Sequence, residues 1–161
     1  AAPKKKAAPK KKAASKKKTS MIKITQVKSG IGYQERQKKV LIADDTRMAR
    51  EMAAELLRAA GYLVLVATDG EATLRAVRDE HPDLVILDLL MPKKTGFDVL
   101  RELRKGETTK DLPVLVMTGV HKKADEVMMV RKLGATGYVS KSNPPEHFLF
   151  RVQQILSPDG R

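Results

Sequence analysis

Five polar side chains in this sequence each come directly after a short, strand-like run of residues. Asp44 and Asp45 follow VLIA, Asp88 follows LVIL, Thr118 follows VLVM, and Lys141 follows YVS. If folding brought them together, the three carboxylates could not all stay ionised unaided, so either one takes up a proton or a cation joins them. An all-oxygen cluster with few protein ligands and room for water suits Mg²⁺. Together with an ammonium and a hydroxyl, it could stabilise a phosphoryl group carried on a carboxylate.

Each of these residues, taken alone, also has a purely structural explanation. The alternatives are a helix cap at Asp45, Thr46 or Thr118, a turn at Asp88, and a solvated surface charge at Lys141. Asp69, which ends another strand-like run and precedes Gly70 and Glu71, is predicted to be only a helix cap. The joint pattern nevertheless favours a site, provided that one fold brings all five groups to a common edge.

The apolar residues from Lys39 onward predict five strands that alternate with five helices. The predicted strands are Val40–Ala43, Tyr62–Ala67, Leu84–Leu87, Leu112–Met117 and Tyr138–Ser140. The predicted helices end near Gly61, before His81, near Lys105, near Leu133 and near Leu156. This alternation predicts an α/β fold, in which a parallel sheet is covered by helices on both faces.

Ligands of open parallel sheets bind at the carboxyl ends of the strands, near a topological switch point. All five polar groups would lie at that edge. Asp88 is the best candidate nucleophile, because it ends the central, wholly aliphatic strand whereas Asp44 and Asp45 share another loop. No His/Cys metal set, phosphate-binding glycine loop or Ser-His-Asp triad competes with this interpretation.

The net charge of +13 on the 161 residues is concentrated at the N-terminus. Residues 1–39 hold fourteen Lys and Arg and one acid, whereas residues 40–161 hold eighteen of each sign. Three lysine-rich hexads occupy residues 1–18, and we expect this arm to be disordered because it offers nothing apolar larger than alanine. Residues 19–38 are predicted to be a linker. Within it Met21, Ile22, Ile24 and Val27 could form a short strand, and Gly30 and Gly32 are typical of linker.

The composition excludes several classes of protein. The chain has no cysteine, so disulfide scaffolds, thiolate catalysis and cysteine-based zinc sites are excluded. Its apolar runs are far too short to span a bilayer, and no apolar stretch follows the N-terminal lysines as it would in a signal peptide. We therefore expect a cytoplasmic protein without membrane insertion, and one associated with the nucleoid if the arm binds nucleic acid.

Four segments closely resemble the receiver domain of bacterial two-component response regulators, a CheY-like domain. They are Val40 to Asp45, Asp88-Leu89-Leu90-Met91-Pro92 with Gly96, Thr118-Gly119, and Tyr138-Val139-Ser140-Lys141. The resemblance covers about residues 39–156 in order and spacing, and it makes 39–161 the receiver domain. It implies a flavodoxin-like, doubly wound sheet of strand order 2-1-3-4-5.

The resemblance also implies a role for each site residue. Asp88 would accept a phosphoryl group from a sensor histidine kinase or phosphotransfer protein, and Lys141 would contact the phosphoryl oxygens. Thr118 and Tyr138 would be the switch residues, which rearrange the face formed by the fourth helix, fifth strand and fifth helix for a downstream protein target. Mg²⁺ would be held by Asp45, Asp88 and the backbone carbonyl of Leu90, with Asp44 helping through water.

The residue after Lys141 departs from the family pattern. The family usually has a proline after the lysine, joined by a cis bond, whereas Ser142 follows Lys141 here. A cis bond before a residue other than proline is costly, so the sequence does not define the geometry of this loop. Residues Asn143, Pro144 and Pro145 offer another way to make the turn.

Three functions follow from these observations. The favoured one is phosphorelay signalling by a module that catalyses only its own Mg²⁺-dependent phosphorylation and dephosphorylation. The first alternative is a nucleoid-associated basic-tail protein with a receiver-like scaffold. Its anion-binding residues would be Lys4, Lys5, Lys6, Lys10, Lys11, Lys12, Lys16, Lys17 and Lys18. The second alternative is a haloacid-dehalogenase-type phosphatase, which is disfavoured because Leu90 stands where a second aspartate is usual.

Overall fold

The computed structural model describes residues 23–27, 30–34, 36–119 and 124–157. The chain divides into two compact units, Ala1–Arg36 and Gln37–Arg161. The lysine-rich arm, for which we predicted disorder over residues 1–18, lies outside the described residues. None of the helices in the described ranges combines the length and the apolar character that a bilayer crossing requires.

The described residues of the first unit form an antiparallel hairpin. β1 (Lys23–Val27) pairs with β2 (Gly30–Gln34), in a register that runs from Lys23 opposite Gln34 to Val27 opposite Gly30. A short strand was predicted for the first of these segments, but Gly30 and Gly32 were read as linker and instead lie in a strand. Pairing of this kind uses backbone N–H and C=O groups, which glycine supplies like any other residue. The linker over residues 19–38 otherwise stays a prediction.

The second unit contains five strands that alternate with five helices, as predicted. The strands are β3 (Lys39–Ala43), β4 (Leu63–Ala67), β5 (Leu84–Leu87), β6 (Val114–Thr118) and β7 (Gly137–Ser140). The helices are α1 (Arg47–Ala59), α2 (Gly70–Glu80), α3 (Gly96–Lys105), α4 (Ala124–Lys132) and α5 (Pro145–Leu156). All strand pairs are parallel, and the order β4-β3-β5-β6-β7 is 2-1-3-4-5 within this sheet, which confirms the predicted fold.

Helices cover both faces of this sheet, so alternate residues of each central strand enter different halves of the core. In β3, Val40 and Ile42 pack with α1 and α5, whereas Leu41 packs with α2, α3 and α4. All four residues of β5 are fully buried. This two-sided burial explains why the central strand has only aliphatic residues and shows no polar alternation.

The predicted boundaries agree with the structure to within two residues, and the difference at the start of β4 has a local cause. Tyr62 was predicted to begin a strand, but its N–H donates to the Leu57 carbonyl at 3.0 Å and so belongs to the turn that ends α1. Asp69 is the N-cap of α2, since its side chain accepts a hydrogen bond from the N–H of Ala72 at 2.8 Å. The predicted capping role of Asp69 is therefore confirmed.

Two phenylalanines of α5 provide a matched test of this core. Phe148 packs in the half of the core that contains α1 and is 6% exposed, whereas Phe150, two residues later, is 57% exposed. We expect Phe148→Ala to lower the free energy of unfolding by about 3–5 kcal/mol, because it removes a buried ring and leaves a cavity. Phe150→Ala should lower it by less than about 1 kcal/mol. Urea unfolding of both variants measures the difference, and equal losses would contradict the assigned helix orientation.

Candidate active site

The candidate site residues are placed by the backbone of the parallel sheet. Just beyond the ends of the strands, the N–H of Asp44 donates to the Ala67 carbonyl at 3.1 Å, and that of Asp88 donates to the Ala43 carbonyl at 2.8 Å. The N–H of Lys141 likewise donates to the Thr118 carbonyl at 3.0 Å. The inter-strand hydrogen bonding therefore continues into the residues that carry the chemistry. These backbone hydrogen bonds therefore fix the positions of the Cα atoms from which the three side chains extend.

A lysine ammonium lies between two buried carboxylates at this edge. Lys141 Nζ is 2.5 Å from Asp44 Oδ2 and 2.5 Å from Asp88 Oδ2. Asp44 is fully buried and Asp88 is 4% exposed, while the Lys141 side chain is 22% exposed. The structure thus brings together three of the predicted residues from three different strand ends. A merely solvated charge at Lys141 is excluded by these contacts.

The second oxygen of each buried carboxylate is held by its own loop. Asp44 Oδ1 accepts a hydrogen bond from the N–H of Thr46 at 2.8 Å, and Asp88 Oδ1 accepts one from the N–H of Leu90 at 3.2 Å. The turn that we considered as an alternative role for Asp88 is therefore present. It is compatible with a site role, because it orients the other oxygen toward Lys141. Thr46 is the N-cap residue of α1 but makes no side-chain capping bond.

The three aspartates form a cluster that fits a divalent cation. One oxygen each of Asp44, Asp45 and Asp88 lie within 4.8 Å of one another, and Asp45 is exposed to solvent. Asp44 Oδ2 is buried and faces the Lys141 ammonium at 2.5 Å. Three carboxylates against one ammonium leave a formal charge of −2. A hard cation with oxygen ligands would complete this charge balance.

The pKa of Lys141 lies above its ordinary value of 10.5. Burial lowers this pKa, but the contacts with the Asp44 and Asp88 carboxylates together outweigh burial. Because the folded pKa is raised, the stability that Lys141 contributes is fully present below pH 10.5 and is lost as the pH rises through the higher folded value. The ammonium is therefore a fixed positive charge of the site at neutral pH.

The two predicted switch residues lie on the neighbouring strands β6 and β7. Thr118 is fully buried at the end of β6, where it pairs with Ser140. Tyr138 is partly buried and packs against the half of the core that contains α2, α3 and α4. Burial raises the pKa of its phenol, and the nearby Glu126 carboxylate raises it further. Both residues lie on strands whose ends lead into the site. Their movement on activation stays a prediction.

The loop after Lys141 forms its turn without a proline at position 142. No peptide bond in the described ranges is cis. The N–H of Asn143 donates to the Ser140 carbonyl at 3.0 Å, and the N–H of Ser142 donates to the Ser140 hydroxyl at 3.2 Å. Pro144 then occupies the N-cap position of α5, without a side-chain capping bond, and the helix begins at Pro145. The loop geometry that the sequence did not define is thus a trans turn closed at Ser140.

Sequence reasoning missed one residue at this edge. Arg50 Nη1 donates a hydrogen bond to the Asp44 carbonyl at 2.7 Å. Arg50 therefore ties the first turn of α1 to the loop that carries two of the aspartates. A signal was available, since an arginine six residues after Asp44 lies in the first turn of the predicted helix, close to the loop that precedes it.

Comparison with known proteins gives consistent matches for the second unit. Residues 40–153 match the response regulator receiver domain family. The chain is 40% identical over 118 residues to the transcriptional regulatory protein CpxR of Klebsiella pneumoniae, covering 73% of this chain and 49% of that protein. It is 31% identical over 123 residues to the phosphate regulon transcriptional regulatory protein PhoB of Pseudomonas aeruginosa, covering 76% and 53%. The chain thus spans about half the length of these curated relatives.

Among solved structures, the chemotaxis response regulator CheY4 of Vibrio cholerae superposes with a TM-score of 0.70 at 32% sequence identity. The match covers 74% of this chain and 99% of that one. The similarity therefore extends over nearly the whole of that solved chain and over about half of the curated relatives.

Replacing Lys141 tests the electrostatic balance of the site. In Lys141→Met, Asp44 and Asp88 lose their buried counter-ion, so we expect a loss of about 2 kcal/mol or more in the free energy of unfolding near neutral pH. Added Mg²⁺ should restore part of this stability, because a bound cation replaces the lost counter-ion. Urea unfolding with and without MgCl2 measures both quantities. The exposed control Lys132→Met should change neither quantity, and a loss that Mg²⁺ does not reduce would contradict the charge argument.

Proposed function

The chain belongs to the response regulator receiver domain family, and from that premise we propose that it accepts a phosphoryl group on Asp88. The donor is the phosphohistidine of a sensor histidine kinase or phosphotransfer protein, in the cytoplasm. The observation that carries this proposal is the buried Asp88 carboxylate at the end of the central strand, with Lys141 Nζ 2.5 Å from one oxygen and two further aspartates beside it. A receiver domain is a signalling domain, so the output is a change of state and not a released product.

The proposed reaction is a phosphoryl transfer from nitrogen to oxygen. An Asp88 carboxylate oxygen forms a bond to phosphorus as the P–N bond of the phosphohistidine breaks. The electron pair of that bond stays on the imidazole nitrogen, which leaves as neutral imidazole because the other ring nitrogen keeps its proton. The product is an acyl phosphate. When bound by Asp45, Asp88 and the Leu90 carbonyl, with Asp44 helping through water, Mg²⁺ supplies positive charge that offsets the phosphoryl oxygens.

The residues around Asp88 have separate roles in this proposal. The Lys141 ammonium shifts from Asp88 Oδ2 to a phosphoryl oxygen. Asp44 Oδ2 stays paired with this ammonium and so keeps it in the site. The phosphoryl group adds about −1.5 to −2 of charge and three acceptor oxygens. The Thr118 hydroxyl donates to one of these oxygens, and Tyr138 moves inward behind it. The face formed by α4, β7 and α5 then rearranges and is read by a downstream protein.

Chemical phosphorylation tests this proposal directly. On incubation with acetyl phosphate and Mg²⁺, we expect the intact mass to rise by one phosphoryl group, which is stable to acid, labile to base and absent in Asp88→Asn. Asp79→Asn, which changes an exposed aspartate on α2, is the matched control and should take up phosphate normally. Uptake that persists supports the switch. Rapid turnover would support the phosphatase alternative, and no uptake would support the receiver-like scaffold.

A second function, non-specific binding of nucleic acid, is favoured by the charge distribution. Nine lysines lie in the first eighteen residues, in three hexads without a single acid. Such a segment attracts phosphates without reading base sequence, and it has no aromatic residue that could stack on bases. The proposal for the arm is independent of the phosphoryl chemistry, and a linker role for the same segment is its alternative.

Salt dependence distinguishes the two roles of the arm. If the arm neutralises about six phosphates, the logarithm of the DNA association constant should fall with the logarithm of salt concentration with a slope of roughly −5. Fluorescence anisotropy with duplexes of two unrelated sequences measures this slope on the full chain. A variant with all nine arm lysines changed to glutamine provides the control and should lose the binding. Absent or salt-insensitive binding by the unchanged chain would leave the linker role.

A further inference from the structure

The loop that connects β5 to α3 contains a strained turn close to Asp88. Lys93 has a φ of 66°, in the left-handed region that side chains other than glycine rarely adopt. The N–H of Lys94 donates to the Pro92 carbonyl at 2.9 Å, so these three residues form a γ-turn centred on Lys93. The γ-turn with positive φ is the rare and strained form. A strained conformation of this kind persists only where the surrounding structure holds it in place.

The structure shows what holds this turn. Lys93 Nζ is 3.0 Å from Asp69 Oδ2, and Asp69, at the N-terminus of α2, is only 8% exposed. The next residues of the two segments touch as well, because a Cβ on Gly70 would lie 2.3 Å from the Lys94 carbonyl oxygen. The beginning of α2 is thus a rigid support against which the turn is fixed.

The capping role of Asp69 does not account for this contact. The cap uses Asp69 Oδ1, which accepts the N–H of Ala72, whereas the ion pair uses the other oxygen. An uncharged asparagine caps a helix about as well as an aspartate. The charge of Asp69 therefore has a second role, which is to form the ion pair with Lys93. The pKa of Asp69 is lowered by the Ala72 N–H first and by Lys93 next, so the carboxylate is charged at neutral pH.

The same loop is in contact with Asp88 at its other end. The N–H of Leu90 donates to Asp88 Oδ1 at 3.2 Å, and the N–H of Gly96 donates to the Leu89 carbonyl at 2.9 Å. A Cβ on Gly96 would lie 2.2 Å from the Asp88 carbonyl oxygen, so the loop closes tightly on the acceptor residue. Because Leu90 and the γ-turn belong to one short closed loop, the position of the turn influences the backbone of Leu90.

We propose that Asp69 is a positioning residue for the acceptor site: its ion pair with Lys93 holds the γ-turn and thereby fixes the Leu90 backbone beside Asp88. The inference rests on the proposed function, since the Leu90 carbonyl is one of the groups that would hold Mg²⁺. It assigns a role in the site to the N-cap residue of α2, which follows β4, a strand whose end contributes none of the proposed site side chains.

Three variants of the full chain test the ion pair. Asp69→Asn keeps the cap and removes the charge, Lys93→Met removes the ammonium, and the double variant removes both. Titration with MgCl2 alone should show that each single variant weakens Mg²⁺ binding about fivefold, as expected for a partly exposed ion pair. The double variant should bind no more weakly than either single one, because the two changes remove the same interaction. Lys93→Arg, which keeps the charge, should bind as the unchanged protein does.

A measurement without metal or phosphodonor isolates the loop itself. Amide hydrogen exchange at Leu90 should be about fivefold faster in Asp69→Asn and Lys93→Met, because the loop opens more often. The matched control is Asp79→Asn, which changes an exposed aspartate of α2 that lies outside this loop. This control should leave both the Mg²⁺ affinity and the exchange at Leu90 unchanged.

The possible outcomes separate the explanations. If Asp69→Asn leaves both the Mg²⁺ affinity and the exchange at Leu90 unchanged, Asp69 acts only as a cap and the inference is wrong. Additive effects in the double variant would also overturn it. If the unchanged protein takes up no phosphoryl group from acetyl phosphate, the proposed function fails, yet exchange at Leu90 still decides whether Asp69 positions the loop.

Discussion

The parallel arrangement of β3, β5, β6 and β7 is the constraint on which the rest of the structure depends. Parallel strands that run in one direction end at one edge, so residues that are far apart along the chain become neighbours there. Inter-strand hydrogen bonds continue into Asp44, Asp88 and Lys141, which means that the backbone positions these residues before any side chain interacts. The sheet therefore positions the site, and the inter-strand hydrogen bonds determine how precisely the site residues are placed.

This placement concentrates negative charge where solvent cannot screen it well. Two carboxylates are almost fully buried, a third is close by, and one ammonium faces the first two. A structure selected for stability alone would not assemble such a group, because buried charges are costly unless they are fully paired. The incomplete pairing leaves a net negative charge at the site, which a bound cation would balance.

Much of the fold and the candidate site follows from local patterns in the sequence. The alternation of strands and helices, the aliphatic central strand and the polar residues at strand ends all depend on the spacing of residues within one element. The pairing of residues 23–27 with residues 30–34 was only partly predicted, because glycines in a paired strand look the same in the sequence as glycines in a linker. Tyr62 was misassigned for a related reason: its place in a helix-ending turn depends on a single backbone hydrogen bond.

The sequence by itself determined the fold class, the order of the elements and the identity of the residues at the strand ends, because these features follow from short-range periodicity. Only the tertiary structure decided that Lys141 contacts Asp44 as well as Asp88, and that the loop at Ser142 closes in trans. It also decided that Asp69 pairs with a residue 24 positions away. Contacts between separate elements depend on how the sheet and helices pack against each other. Such contacts, unlike the pattern within one strand or helix, have no periodic signal in the sequence.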